Sequence, residues 1–365
     1  MAATPQSNRR QFLTGQAALN AVSNLELASP ALGNQRGTSG GAAEAYLLQI
    51  DRTAMACDFQ VLLNAGQHAG AAESSIHALD IVEQLEEQLS WFRDTSELSR
   101  INQSAATSPV VVERRLFNLL AEALSISEQT GGAFDITAAP LWKLWGFHRR
   151  EGSIPPESDV QQVLAQTGSS QVELDIEAMT IQFASDGVEI NLGAIGKGYA
   201  LDRCAEHLMA TGVRDFLIHG GQSSMLASGS RSGTSNVEPS WSIALRHPLK
   251  PDQRLVEIHL RDRALGTSGS GNQYFHFGGK RYGHVLDPRT GHPADTLLSA
   301  TVLAPGAAQA DALATAFFVM GVDASLEFCE SRPEIGALFV AAGGQAGSME
   351  FVTTGIEEHE WRRIA

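Results

Sequence analysis

The chain has 365 residues, 43% of them apolar and 18% charged, which is enough for one large domain or two ordinary ones around an ample core. A formal net charge of −15 excludes a protein that tracks nucleic acid through a basic surface, so any phosphate must be met by a few local groups. No apolar run approaches the roughly 18 residues of a membrane span, and Cys57, Cys204 and Cys329 are too far apart to suggest a disulfide framework or a CxxC metal motif.

Along the chain, Ser7 to Leu13 carries the pair Arg9-Arg10 before a modest apolar segment, so residues 1–28 read as a twin-arginine export signal and the expected location is the periplasm. Gln16, Asn20, Asn24 and Glu26 make the following segment polar, which suits a cytoplasmic tail as well. Residues 29–44, rich in Gly, Ser and Asn, read as a linker, and a single folded unit is expected over 45–365. Tyr46 to Ile50 and Phe59 to Leu63 read as strands, followed by a helix with Ile76, Leu79, Val82, Leu85 and Leu89 on one face. Leu116, Leu119, Leu120 and Leu124 mark a second helix, stopped at Gly131-Gly132. The apolar stretch Val188 to Leu192 reads as a strand running into the glycine-punctuated turn Gly193 to Gly198 and a third helix over Lys197 to Met209. Further strands are expected at Phe216 to His219, Trp241 to Leu245, Leu255 to Leu260, Leu298 to Leu303, Ile335 to Ala341 and Met349 to Thr353. A helix over Ala308 to Met320 follows the break at Pro305-Gly306, and residues 228–240 read as a Ser/Gly-rich mobile insertion. Strands and helices in mixed order, without a regular βαβ repeat, predict an α+β fold with mixed or antiparallel sheets and packed helices.

Five stretches could carry chemistry. The Gly193 to Tyr199 turn places glycines and Lys197 where backbone N–H groups and an ammonium can approach a phosphate, or where a strand simply meets a helix. It is not a Walker A loop, because two residues rather than four separate Gly193 from Gly196-Lys197 and Gly198 follows the lysine. Asp311 and Thr315, spaced i and i+4, put a carboxylate and a hydroxyl on one helix face, suited to part of a Mg²⁺ site or to the helix's own backbone. Tyr282 to Gly291 brings His284 and Arg289 around an Asp-Pro turn, where His284 is a candidate base with Asp287 as orienting partner and Arg289 a candidate anion clamp; a plain Arg289–Asp287 pair is the alternative. Ala264 to Gly269 reads as a small-residue loop, and the aromatics from Phe134 to Phe147 suit a planar cofactor or a core equally.

Taken in order, these segments resemble the FAD:protein FMN transferases, the ApbE-type family with its T-fold-related architecture. The resemblance spans about Ala45 to Thr354 and rests on Leu89-Ser90-Trp91-Phe92, Ser96 to Asn102, Phe134-Asp135-Ile136-Thr137 and Leu144-Trp145-Gly146-Phe147. It continues through Asn191 to Ala200, Gly220-Gly221, Thr267-Ser268-Gly269, His284 with Asp287 to Gly291, and Ala310 to Thr315. The family departs from this chain at Gly220-Gly221-Gln222, where Asn is common in place of Gln222, at Asn191, where Asp is common, and at Trp91, where Tyr is frequent.

The resemblance implies Mg²⁺-dependent transfer of the FMN half of FAD, the substrate, to a Thr or Ser hydroxyl of an acceptor flavoprotein subunit, with release of AMP. It implies a metal held by Asp311, Thr315 and the carbonyl of Ala194, and FAD contacts at Met55, Trp91, Ala133, Phe134, Asp135, Asn191, Lys197 and Val285. His284, Asp287 and Arg289 are the expected catalytic residues. The rival readings are an FAD pyrophosphatase giving FMN and AMP, a noncatalytic FAD carrier, and a Ser268-His284-Asp287 hydrolase.

Overall fold

The computed structural model describes residues 46–364 except 234–238, 270, 272 and 346; the expected export signal, the expected linker and the centre of the expected 228–240 insertion therefore lie outside the described residues. In chain order the elements are β1 (Leu47–Ala54), β2 (Cys57–Asn64), α1 (Ala71–Leu89), α2 (Glu97–Ser104), β3 (Val110–Val111), α3 (Arg114–Gln129), α4 (Ala139–Leu144), α5 (Glu157–Leu164), β4 (Val172–Asp175), β5 (Thr180–Phe183), α6 (Gly196–Ala210), β6 (Phe216–Gly220) and β7 (Ser224–Ser228). The second half adds β8 (Trp241–His247), β9 (Lys250–Leu260), β10 (Arg263–Gly269), β11 (Tyr274–Phe277), β12 (Lys280–Gly283), β13 (Ser299–Ala304), α7 (Ala307–Met320), α8 (Val322–Glu330), β14 (Gly336–Ala342), β15 (Met349–Thr354) and β16 (Trp361–Arg363).

The fold is α+β. Its centre is a sheet in the order β1-β2-β6-β7-β10-β13-β14-β15, accompanied by the smaller sheets β16-β9-β8 and β3-β5-β4 and the hairpin β11-β12. Of the two expected arrangements the antiparallel one is found, since each named strand pairing runs antiparallel. Strand alternation gives the central sheet two apolar faces. One packs on α1, α6 and α7 through residues such as Phe59, Ile218, Ala264, Val302 and Phe339. The other, with Leu217, Leu265, Leu303 and Leu338, packs on Trp241, Ile243, Val256 and Ile258 of the β8–β9 sheet.

The α1 stripe differs from its sequence reading at one end: Ser75, Ala78, Leu79, Val82, Leu85 and Leu89 face the core while Ile76 is exposed. Both Gly131 and Gly132 adopt positive φ past the end of α3, as the helix stop requires. Two further expectations are corrected. Val188 to Leu192 is not a strand, because the Asn102 side chain occupies its backbone, donating to the Ile190 carbonyl at 3.0 Å and accepting from the Ile190 N–H at 2.9 Å. Ala264 to Gly269 is not a loop but part of the central strand β10; its small residues make room for the helix lying across it.

That helix is α7, buried on nearly all sides. A Cβ at Gly266 would stand 2.5 Å from the carbonyl carbon and oxygen of Ala310, and one at Gly198 only 2.0 Å from the carbonyl oxygen of Ala307, so α7 is seated at backbone contact on both β10 and α6. Its first turn is held by Asp202 of α6, whose two carboxylate oxygens accept from the Ala307 and Ala308 N–H groups at 2.7 and 2.8 Å. Burial pushes the Asp202 carboxyl up to about 6, with those two N–H groups acting in the opposite direction. Gly266→Ala forces backbone apart at this contact and is expected to destabilise the protein by about 2–3 kcal/mol, read as a lowered urea midpoint with the m-value unchanged.

Candidate functional site

One cavity, of about 350 Å³, opens at the end of the central sheet where α6, α7, β10 and the segment after β12 meet. It is lined by ten of the sequence-predicted residues: Ala133, Phe134, Asp135, Asn191, Ala194, Lys197, His284, Val285, Asp311 and Thr315. Four others, Met55, Trp91, Asp287 and Arg289, do not line it.

Asp311 and Thr315 project from one face of α7, as their spacing predicts. Asp311 is buried, and its Oδ2 accepts two hydrogen bonds of 2.8 Å, from the Ser224 hydroxyl and from the Gly198 N–H. Burial raises the Asp311 carboxyl above the ordinary carboxylate range; the charge of Lys197 and the two hydrogen bonds pull it back. Thr315 Oγ1 lies 3.0 Å from Ser268 Oγ and donates to the Asp311 carbonyl at 3.3 Å. Residue 194 precedes the N-cap Ile195, and the first helical bond of α6 runs from the Tyr199 N–H to the Ile195 carbonyl. The Gly198 N–H is therefore a first-turn donor that Asp311 satisfies, and the Ala194 carbonyl accepts no backbone hydrogen bond among the described residues.

The cavity thus presents a carboxylate, a hydroxyl and a spare carbonyl, all hard oxygen donors. The chemistry of that set fits Mg²⁺, which takes few protein oxygens and fills its shell with waters and phosphates. Among the described residues there is no cluster of three or more His, Cys, Asp and Glu side chains arranged to hold a metal.

The glycines of the 193–199 turn divide their labour. Gly193 closes an Asx turn in which Asn191 Oδ1 accepts its N–H at 2.7 Å, and Gly198 provides clearance for α7 rather than for a ligand. Lys197, between them, lines the cavity.

His284 is half-buried at the cavity wall, with Nδ1 3.1 Å from the Gln273 carbonyl oxygen. A carbonyl can only accept, so the neutral ring carries its proton on Nδ1 and keeps Nε2 as the basic nitrogen. Burial holds the imidazole below its ordinary 6.5, the Gln273 hydrogen bond opposes, and the Lys197 charge lowers it further. The expected partner of His284 is corrected here: Asp287 does not orient it. Both Asp287 oxygens are taken by Arg289, at 2.8 Å from Nε and 2.9 Å from an Nη, closing an ion pair inside the Asp-Pro turn. Arg289, the expected anion clamp, is engaged in that pair and does not line the cavity, and with Ser268 bonded to Thr315 and Asp287 bonded to Arg289 the three side chains Ser268, His284 and Asp287 form no triad.

Met55 occupies the β1–β2 turn at φ 49 and packs partly into the main core. Its neighbour Cys57 lies against Gly221, on the side to which the Lys197 stem also reaches. Trp91 packs edge-on against Phe92 and Trp142, with the Lys143 ammonium 4.8 Å over its ring. Phe92 and Trp142, not Trp91, reach the cavity wall. The Phe134–Phe147 aromatics therefore split by role: Trp145 and Phe147 form a satellite core with Leu141 and Leu286, while Phe134 and Trp142 line the cavity. Asp135 spends its carboxylate locally, accepting from the Thr137 N–H at 2.8 Å and the Ser127 hydroxyl at 3.0 Å. Sequence reasoning missed Ser224 and Asp202, since an isolated serine and a surface-spaced aspartate carry no signal until α7 is laid against them.

The fold and the cavity together define an α+β protein with an oxygen-donor helix face, a lysine and a neutral histidine converging on one ligand site. A sequence model of the ApbE family matches residues 55–339, and the chain belongs to that family. The FAD:protein FMN transferase of Vibrio cholerae is 33% identical over 274 residues, covering 73% of this chain and 80% of its own; that of Haemophilus influenzae is 31% identical over 301 residues, covering 79% and 85%. Among solved structures, the ApbE protein of Thermotoga maritima superposes with a TM-score of 0.74 at 28% identity, over 84% of this chain and 96% of that one. The flavin transferase ApbE of Vibrio cholerae gives 0.73 at 26%, over 85% and 97%.

Since Arg289 is committed to Asp287 at the surface, Arg289→Ala is expected to leave FAD affinity, measured by flavin fluorescence titration, unchanged. Its cost in stability is expected to be about 1 kcal/mol or less.

Proposed function

We propose that the chain is an FAD:protein FMN transferase, which moves FMN from FAD to a Thr or Ser hydroxyl of an acceptor protein, forms a phosphoester and releases AMP in a Mg²⁺-dependent reaction. The observation that carries this reading is the convergence of Asp311, Thr315, Lys197 and a neutral His284 on one cavity in a chain of the ApbE family. A noncatalytic carrier needs neither the oxygen-donor set nor the base.

Asp311, Thr315 and the Ala194 carbonyl would hold the metal. Bound there, Mg²⁺ supplies positive charge for the diphosphate and for the oxygens of the reacting phosphorus. Lys197 adds a fixed positive charge on the same wall, and the apolar walls of Phe134, Trp142 and Val285 exclude water from the flavin nucleotide. The acceptor hydroxyl gives its proton to Nε2 of His284 as its oxygen bonds to the FMN phosphorus, and the bond from that phosphorus to the AMP oxygen breaks. The Gln273 carbonyl keeps the ring in the tautomer this requires and stabilises the imidazolium that forms.

Incubation with FAD, Mg²⁺ and an acceptor flavoprotein subunit is expected to yield covalent flavoprotein and AMP, and Asp311→Ala and His284→Ala are each expected to lower the rate by at least about 100-fold. Flavinylation at the wild-type rate in both variants would overturn the assignment, and free FMN as the sole flavin product would point to a pyrophosphatase instead.

The base must be unprotonated to work, and His284 is held below 6.5. The acid limb of kcat/KM is therefore expected below pH 6.5, and that limb is expected to vanish in the residual activity of His284→Ala.

A further inference from the structure

We infer that Ser224 is a positioning residue which, with the Gly198 N–H, pins Asp311 so that it offers a single oxygen to a cation, and that this sets a preference for Mg²⁺ over Ca²⁺. The inference rests on the reading above, in which Asp311 and Thr315 hold Mg²⁺.

Ser224 opens β7 and is fully buried. Its cross-strand neighbours on the two sides are Gly220 and Gly266, so no side chain flanks its hydroxyl at those positions. That hydroxyl donates to Asp311 Oδ2 at 2.8 Å, and the Gly198 N–H, from the first turn of α6, donates to the same oxygen at 2.8 Å. A carboxylate oxygen has two lone pairs, so two donors fill Oδ2 and keep it from a second role as a metal ligand. Oδ1 carries no hydrogen bond among the described residues, and Asp311 lines the cavity.

The carboxylate is therefore set for one-oxygen coordination. Its partner on the helix is set the same way, since Ser268 of β10 lies 3.0 Å from the Thr315 hydroxyl. Mg²⁺ demands a compact octahedron and is served by single carboxylate oxygens plus water and phosphate, whereas Ca²⁺ takes six to eight oxygens and gains from carboxylates that bind through both. Removing the Ser224 hydroxyl leaves Oδ2 with one donor, lets the carboxylate rotate, and opens the two-oxygen mode.

The test uses the full chain with Mn²⁺ as a paramagnetic reporter, displaced by Mg²⁺ or by Ca²⁺, in the wild type and in Ser224→Ala, Ser224→Thr and Asp311→Asn. The wild type is expected to bind one Mn²⁺ that Mg²⁺ displaces more effectively than Ca²⁺, and Asp311→Asn to lose it. Ser224→Ala is expected to weaken Mn²⁺ binding by about 10-fold or more and to move the Mg²⁺/Ca²⁺ ratio toward Ca²⁺, while Ser224→Thr, which keeps the hydroxyl, restores both. A merely structural role for Ser224 would lower thermal stability and leave that ratio in place. If Asp311→Asn abolishes binding while Ser224→Ala keeps both the affinity and the ratio of the wild type, the inference falls and the Mg²⁺ reading stands. Should the wild type bind no Mn²⁺, or Asp311→Asn bind it equally well, the Mg²⁺ reading itself fails and takes the inference with it. Where circular dichroism shows Ser224→Ala unfolded, Ser224→Cys, of similar shape and weaker donor strength, replaces it, and a wild-type ratio there overturns the inference as well.

Discussion

The backbone contact of α7 with β10 and α6 is the constraint on which the rest of this structure depends. A helix can lie that close to a strand and to a second helix only where the side chain is missing, which Gly266 and Gly198 provide. Once α7 is seated there, nearly all of its surface leaves solvent, and any polar group it carries must find partners within the protein. Asp311 finds them in Ser224 and Gly198, and the first-turn N–H groups find them in Asp202. The two aspartates are opposite solutions to one problem, since one uses both oxygens to cap the first turn of a helix while the other uses one oxygen and leaves its second without a hydrogen bond among the described residues.

The same economy governs the turn before α6. Its helix begins at Gly196, so the Gly198 N–H has no carbonyl of its own helix to bond and goes to Asp311, while the Ala194 carbonyl, ahead of the first helical bond, has no backbone donor among the described residues. Close packing against α7 and the hydrogen bond to Asp311 come from the same glycine. At the opposite wall, His284 owes its tautomer to a backbone carbonyl rather than to a carboxylate. That choice keeps a second negative charge off the cavity wall, while Asp287 is neutralised outside the cavity by Arg289.

What could be read from the sequence follows the reach of each signal. Periodicity located α1 and α3 within a few residues, because burial on one face repeats at helical spacing, while the glycine turn before Lys197 and the Pro305-Gly306 break placed α6 and α7. It misplaced Ile76, since residues 75 and 76 both lie about one turn before Leu79 and only packing decides between them. The Val188 to Leu192 segment has the composition of a strand, but Asn102, 88 residues away from Ile190, supplies the hydrogen bonds a neighbouring strand would have made. Conversely, the small residues of β10 look like a loop until α7 is laid across them.

The sequence by itself determined the α+β class, the helix face bearing Asp311 and Thr315, and, through the ordered motifs, the family and most of the residues that line the cavity. These are properties of spacing and of residue type, which need no knowledge of the partner surface. Only the tertiary structure decided which candidates meet: that Phe92 and Trp142 rather than Trp91 reach the cavity, that Arg289 belongs to Asp287, and that Ser224 and Gly198 hold one oxygen of Asp311. The physical reason is that a hydrogen bond or a ring contact is settled by a few tenths of a nanometre between elements far apart in the chain, and that distance is fixed by how closely the glycines allow their backbones to approach.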